Sequence, residues 1–137
     1  MKKVKSSSEA NIERNGSEDI LNGLKSISSN PKVHFEFLSI FLRQFKVDVV
    51  ELAKSIEQVD HNKIFDTAHK MKSSIKYFDA DMYGQISNLE KYGHEKTDLN
   101  KIKSEYAQFN SSAKFKLPLL EAAAIKLKYQ LDGKVSA

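Results

Sequence analysis

The chain is predicted to be all-α: an antiparallel, up-down four-helix bundle with a short additional helix at its N-terminal side. Three observations carry this. Only 2 prolines and 5 glycines interrupt 137 residues rich in Leu, Ile, Lys, Glu, Ser and Ala, a composition that favours helix. Apolar residues recur at steps of three and four over most of the length. No segment alternates with period two, and no Asn-Gly or Asp-Gly turn separates candidate strands. The length suits one domain with its own core.

Residues 1–16 are polar, Ser-rich and aperiodic, and read as a disordered leader. Ser17 is a candidate N-cap, followed by a short amphipathic helix marked by Ile20, Leu21, Leu24 and Ile27. Asn30-Pro31 is an N-cap with proline at the first helical position. From it a long helix over about 31–58 carries Phe35, Leu38, Phe41, Leu42, Phe45, Val49, Leu52, Ala53 and Ile56. Asp60 caps the next helix, whose core stripe is Ile64, Ala68, Met71, Ile75 and Phe78. The stretch Phe78 to Asp81 breaks it. A helix over roughly 80–92 follows, with Met82, Ile86 and Leu89 inward and Gly93 at the C′ position. Thr97 or Asp98 caps the last helix, with the stripe Leu99, Ile102, Tyr106, Phe109, Ala113, Leu117, Leu120, Ala124, Leu127 and Leu131. The phase runs through Pro118, so one long helix, bent near Lys114, is expected rather than two. Residues 17–131 thus form the domain and 132–137 a polar tail.

Composition excludes several classes. Without cysteine there is no disulfide and no thiolate metal site, which fits a reducing, cytoplasmic setting. The basic start lacks an apolar segment behind it and is not a signal peptide. No apolar run is long enough to span a membrane. Of the formal net charge of +4, residues 1–16 supply +2, which leaves the domain too weakly basic for a phosphate-backbone binder. A tether of Lys2, Lys3 and Lys5 to nucleic acid or anionic lipid is a weaker alternative. Nucleotide-binding glycine motifs and a Gly-x-Ser-x-Gly elbow are absent. The four histidines are His34, His61, His69 and His94. None forms an i, i+4 pair, and His61 and His69 are about 12 Å apart along a helix, so no metal site is expected. His34 and His94 read as surface or cap residues.

The segment Asp66-Thr-Ala-His-Lys-Met-Lys-Ser-Ser-Ile75 remains. At about 100° per residue, Ala68, Met71 and Ile75 face the core. His69 lies to one side, with Phe65, Lys72, Ser73 and Lys76 around it and Asn62 two turns back. A lone histidine on a helix flank reads first as a surface residue, and Lys-Met-Lys as a solvated face. Asp66, one turn before His69, either orients its ring or is an exposed acid.

Ala68 to Ser74, A-H-K-M-K-S-S, resembles the A-H-x-L-K-G-[SA] signature of histidine-containing phosphotransfer domains, the helical modules of two-component phosphorelays. The surroundings resemble the family too: a long helix, an acidic cap, histidine midway along the next helix, and a break. A helix with an apolar-x-x-Leu-Glu pattern (Ile86–Glu90) and a long last helix follow. The resemblance covers 17–131. It implies His69 as the phospho-accepting residue, attacking an aspartyl phosphate, with Lys72 and Ser73 beside the reacting group. It implies docking of a receiver domain through Asn62, Phe65, Lys70, Ser74 and Lys76. No metal or cofactor is expected on this chain, since the receiver supplies the Mg²⁺. The partners implied are response-regulator receivers, such as that of a hybrid histidine kinase, met by a monomer that carries phosphoryl groups rather than using ATP. Serine at 73 departs from the family's glycine. Its hydroxyl either bonds the imidazole or phosphoryl group, or narrows the approach. That departure motivates the alternative of an adaptor that docks receivers without transfer.

Overall fold

The computed structural model describes residues 20–133. The predicted leader, the Ser17 cap, the three-lysine tether and the end of the tail lie outside them. Among the described residues there are five helices and no strand. They are α1 over 20–27, α2 Pro31–Glu57, α3 His61–Ile75, α4 Ala80–Glu95 and α5 Leu99–Leu131. Helix α2 packs on α3, α3 on α4 and α4 on α5, and α5 returns against α2. Among the described residues no helix is long and apolar enough to cross a membrane.

The starts follow the capping chemistry. Asn30 accepts from Lys32 N at 2.9 Å, Asp60 from Lys63 N at 3.1 Å and Asp79 from Met82 N at 2.9 Å. Each satisfies one of the donors that a helix start leaves unpaired. Asp98 occupies the cap position of α5 without a side-chain hydrogen bond. Helix α5 is continuous through Pro118, as the unbroken phase requires.

Every predicted core residue of α3 is buried, Phe78 included. Burying a Leu, Ile or Phe side chain contributes about 1.5–3 kcal/mol, so this stripe fixes which face of α3 remains outside. Phe41 stands at the centre of an aromatic ladder. Its ring lies 4.7 Å from Phe78 and 5.4 Å from Phe45, which reaches Phe109 of α5 at 6.0 Å.

The structure corrects the reading at several positions. Leu21 and Leu131 are exposed, and Lys116, outside the predicted stripe, is buried while Leu117 within it is only partly so. Lys116 takes the core position because its Nζ reaches Asp79 Oδ2 at 3.6 Å, at the start of α4. His34 is buried rather than superficial, its Nε2 bonded to the Ser28 carbonyl in the α1–α2 connection. Gly93 does not end α4. It is buried inside the helix, which continues to Glu95 and closes on Lys96 in the left-handed conformation. The glycine serves close packing instead. A Cβ there would sit 2.7 Å from Phe65 N and 2.9 Å from His61 O. Gly23 plays a similar part for α1, since a Cβ would overlap Tyr77 O at 1.8 Å.

Val59, between α2 and α3, has a φ of 54° and is 47% exposed. A left-handed conformation costs an L-residue about 1–2 kcal/mol, more than the extra backbone entropy a glycine loses, about 0.5–1 kcal/mol. Val59→Gly is therefore expected to raise stability by up to about 1 kcal/mol, or about 4 °C in midpoint. A thermal melt that moves down would show that the valine side chain packs more than its exposure suggests.

Candidate functional site

The site is assembled where α3 meets α4. On α3, His69 projects from the flank of the buried stripe Ala68, Met71 and Ile75, and its side chain is 65% exposed. Its Nδ1 is hydrogen-bonded to Glu90 Oε2 of α4. The other oxygen, Oε1, accepts from Lys72 Nζ at 2.6 Å. A single carboxylate thus bridges an imidazole and an ammonium set one turn apart on the neighbouring helix. Glu90 is held there by Leu89 beside it and Ile86 one turn back, both fully buried, which set the rotation of α4.

The electrostatics follow the geometry. Burial by itself would push the Glu90 carboxyl up. The hydrogen bonds from Lys72 and His69 outweigh it and hold the group below its ordinary value of 4.5. The same bond to Glu90 raises Lys72 above 10.5, against a smaller opposing effect of burial. A carboxyl depressed in the folded chain contributes stability above its unfolded value and loses it as pH falls through the folded one. Wild type should therefore lose stability relative to Glu90→Gln as pH drops below about 4.5. Urea midpoints for the two proteins, measured from about pH 6 to pH 3, check this; parallel curves would remove Glu90 from the acid response.

An imidazole with Nδ1 on a carboxylate donates its ring proton there and presents the lone pair of Nε2 outward. Among the described residues none bonds that nitrogen. The Phe65 ring lies almost parallel to the imidazole, at 13° and 5.7 Å between centroids. What results is an exposed, oriented ring nitrogen with an ammonium nearby.

The other predicted residues divide between two sides of His69. Lys72 and Phe65 lie toward α4. Lys70, Ser73 and Ser74 lie toward α2, bordering a groove of about 280 Å³ walled by Phe37, Ile40, Phe41 and Met71. Lys70 Nζ pairs with Asp48 Oδ1 at 3.0 Å, and Asp48 also receives Gln44 Nε2 at 3.0 Å. The Ser73 hydroxyl donates to the Lys70 carbonyl at 3.1 Å, so it is spent on its own helix and not on the ring. Asn62 is exposed in the first turn of α3, and Lys76 stands at the far end over the Tyr77 ring at 5.2 Å. The structure does not bring these two to the imidazole.

Two participants escaped the sequence reading. The carboxylate on the ring is Glu90, from across the helix pair, and not Asp66, which is exposed. Gly93, three residues after Glu90, was the available signal, since a buried glycine within a helix marks close approach. Asp48 was legible as an acid one turn after Phe45 and one before Leu52 in an apolar stripe, and it is buried with its partners. Among the described residues no three His, Cys, Asp or Glu side chains converge as metal ligands. No family model, curated protein or solved structure matches the chain.

Proposed function

We propose that this chain is a histidine-containing phosphotransfer module that accepts a phosphoryl group on His69 from a receiver-domain aspartyl phosphate and passes it to another receiver. The observation that carries the reading is the exposed His69 imidazole with Nδ1 on Glu90 and Nε2 unclaimed among the described residues. The motif Ala68 to Ser74, the all-helical fold and the cyclic helix neighbours support it, and the architecture that goes with it is an antiparallel four-helix bundle carrying an extra N-terminal helix.

In the reaction, the Nε2 lone pair attacks phosphorus, the N–P bond forms and the aspartyl O–P bond breaks. The aspartate leaves as a carboxylate. The ring proton stays on Nδ1, where Glu90 stabilises the phosphoimidazolium that forms. Keeping that proton keeps the ring a good leaving group for the return step to a second aspartate. Lys72 balances Glu90 and adds positive potential beside the incoming phosphoryl oxygens, which is what a loose transition state requires. The Mg²⁺ that the transfer needs belongs to the receiver. Lys70, Ser74 and the groove toward α2, with Phe65 on the opposite side of His69, offer that receiver an apolar surface beside the nucleophile. The module acts in the cytoplasm, as a monomer.

The test is incubation with a phosphorylated receiver and Mg²⁺. The chain should acquire label that is labile in acid and stable in base, the signature of a phosphorus–nitrogen bond. Acid-stable label, or none from any receiver of the host, would leave the competing reading: an adaptor that docks receivers over the same groove without transfer.

A further inference from the structure

Phe65 lies one turn before His69 on α3, where the resemblance implies a place on the docking surface. Its geometry gives it work inside the chain. A near-parallel aromatic contact with centroids 5.7 Å apart is within the attractive range for ring pairs. It restricts rotation of the imidazole about its own bond to the backbone arm, a torsion that is otherwise broad for histidine. The Phe65 ring is itself backed by His94 of α4, at 5.6 Å and 45°.

The spacing of the helices is set at the same level. Gly93 of α4 meets the backbone of Phe65, where a Cβ would come within 2.7 Å of N and 3.1 Å of Cα. These are backbone atoms, so any side chain at 93 would have to move the helices apart. Glu90 sits one turn from Gly93, and His69 one turn from Phe65. This close approach therefore lies one turn from the pair that must come into hydrogen-bond range.

We propose that Phe65 is a positioning residue for His69. Its ring and the close α3–α4 approach at Gly93 hold the imidazole in the one orientation that puts Nδ1 on Glu90 and Nε2 outward. The effect on rate rests on the phosphotransfer reading above; the effect on the ring does not.

The two roles of Phe65 separate when the donor has no surface to dock. Phosphoramidate phosphorylates imidazoles directly and provides such a probe. Phe65→Leu keeps an apolar side chain but loses the stack, and it should slow phosphoramidate labelling of His69 by about tenfold, the scale of losing an orienting partner. Phe65→Tyr should restore it. Nitrogen NMR of the His69 ring should show the Nδ1–H tautomer dominant in wild type and Phe65→Tyr, and mixed with Nε2–H in Phe65→Leu. Gly93→Ala, at unchanged helicity, should reproduce the Phe65→Leu result; if that variant unfolds, the Phe65 pair decides. Wild-type labelling rate and wild-type tautomer in Phe65→Leu would overturn the proposal and leave Phe65 as docking surface alone. If wild type takes no label from phosphoramidate or from any receiver, the phosphotransfer reading falls, and the tautomer measurement still decides the role of Phe65.

Discussion

In His69→Gln the phosphoryl label is expected to vanish altogether, whereas in Glu90→Gln it should persist and accumulate at least about tenfold more slowly. The contrast follows from what each side chain supplies. In the proposed transfer His69 supplies the attacking nitrogen, and a glutamine amide has no lone pair on nitrogen available for phosphorus. Its size and polarity suit a site that is 65% exposed, so the fold should be untouched. Glu90 supplies orientation and charge. In Glu90→Gln the amide oxygen still accepts one hydrogen bond, but without the negative charge it neither favours the Nδ1–H tautomer strongly nor stabilises the phosphoimidazolium. Lys72 then loses the partner it holds at 2.6 Å and is freed toward the phosphoryl oxygens, which offsets part of the loss. Time courses from one phosphorylated receiver to the three proteins resolve the ranking. Label on His69→Gln would relocate the acceptor, and a Glu90→Gln rate equal to wild type would reduce Glu90 to a surface ion pair.

A far larger effect on folding is expected for Asp79→Ala, about 3–5 kcal/mol of lost stability. Asp79 does two things at once. Its Oδ1 caps α4 through Met82 N, worth about 1 kcal/mol. Its Oδ2 is the counter-charge of Lys116, whose side chain is only 5% exposed. Removing the carboxylate strands an ammonium in the interior. Lys116→Met tests the reasoning from the other side. It removes the buried charge and fills the same volume, and should be neutral or stabilising because Asp79, less deeply buried, keeps its cap. Urea denaturation of the two variants decides it: equal losses would mean that the ion pair itself, rather than the stranded charge, carries the energy.

Much of the fold could be read along the chain because it rests on local pattern. The α3 stripe from Ile64 to Phe78, the caps at Asn30, Asp60 and Asp79, and the unbroken α5 through Pro118 all depend on residues within a few turns of each other. Departures arose where a residue's partner is distant in sequence. The burial of Lys116, outside the predicted stripe, follows only from Asp79 being brought against it, and Gly93 looked like a helix stop until the Phe65 backbone lay on it. Lys72 and Ser73 were grouped with His69 by helical phase and by the motif resemblance. In space Lys72 turns to α4, and Ser73 bonds its own helix on the side toward α2.

By itself the sequence determined which residues are helical, which face of α3 is buried and therefore that His69 stands outside it. Those are consequences of a 3.6-residue repeat and of short-range capping, and they need no knowledge of neighbours. Only the tertiary structure decided what that histidine is joined to. Glu90 is 21 positions away along the chain, and its bond to Nδ1 depends on α4 lying close against α3 with a glycine at the contact. A hydrogen bond tolerates only a few tenths of an ångström, and separation in sequence carries no information at that scale. The packing of two helices does.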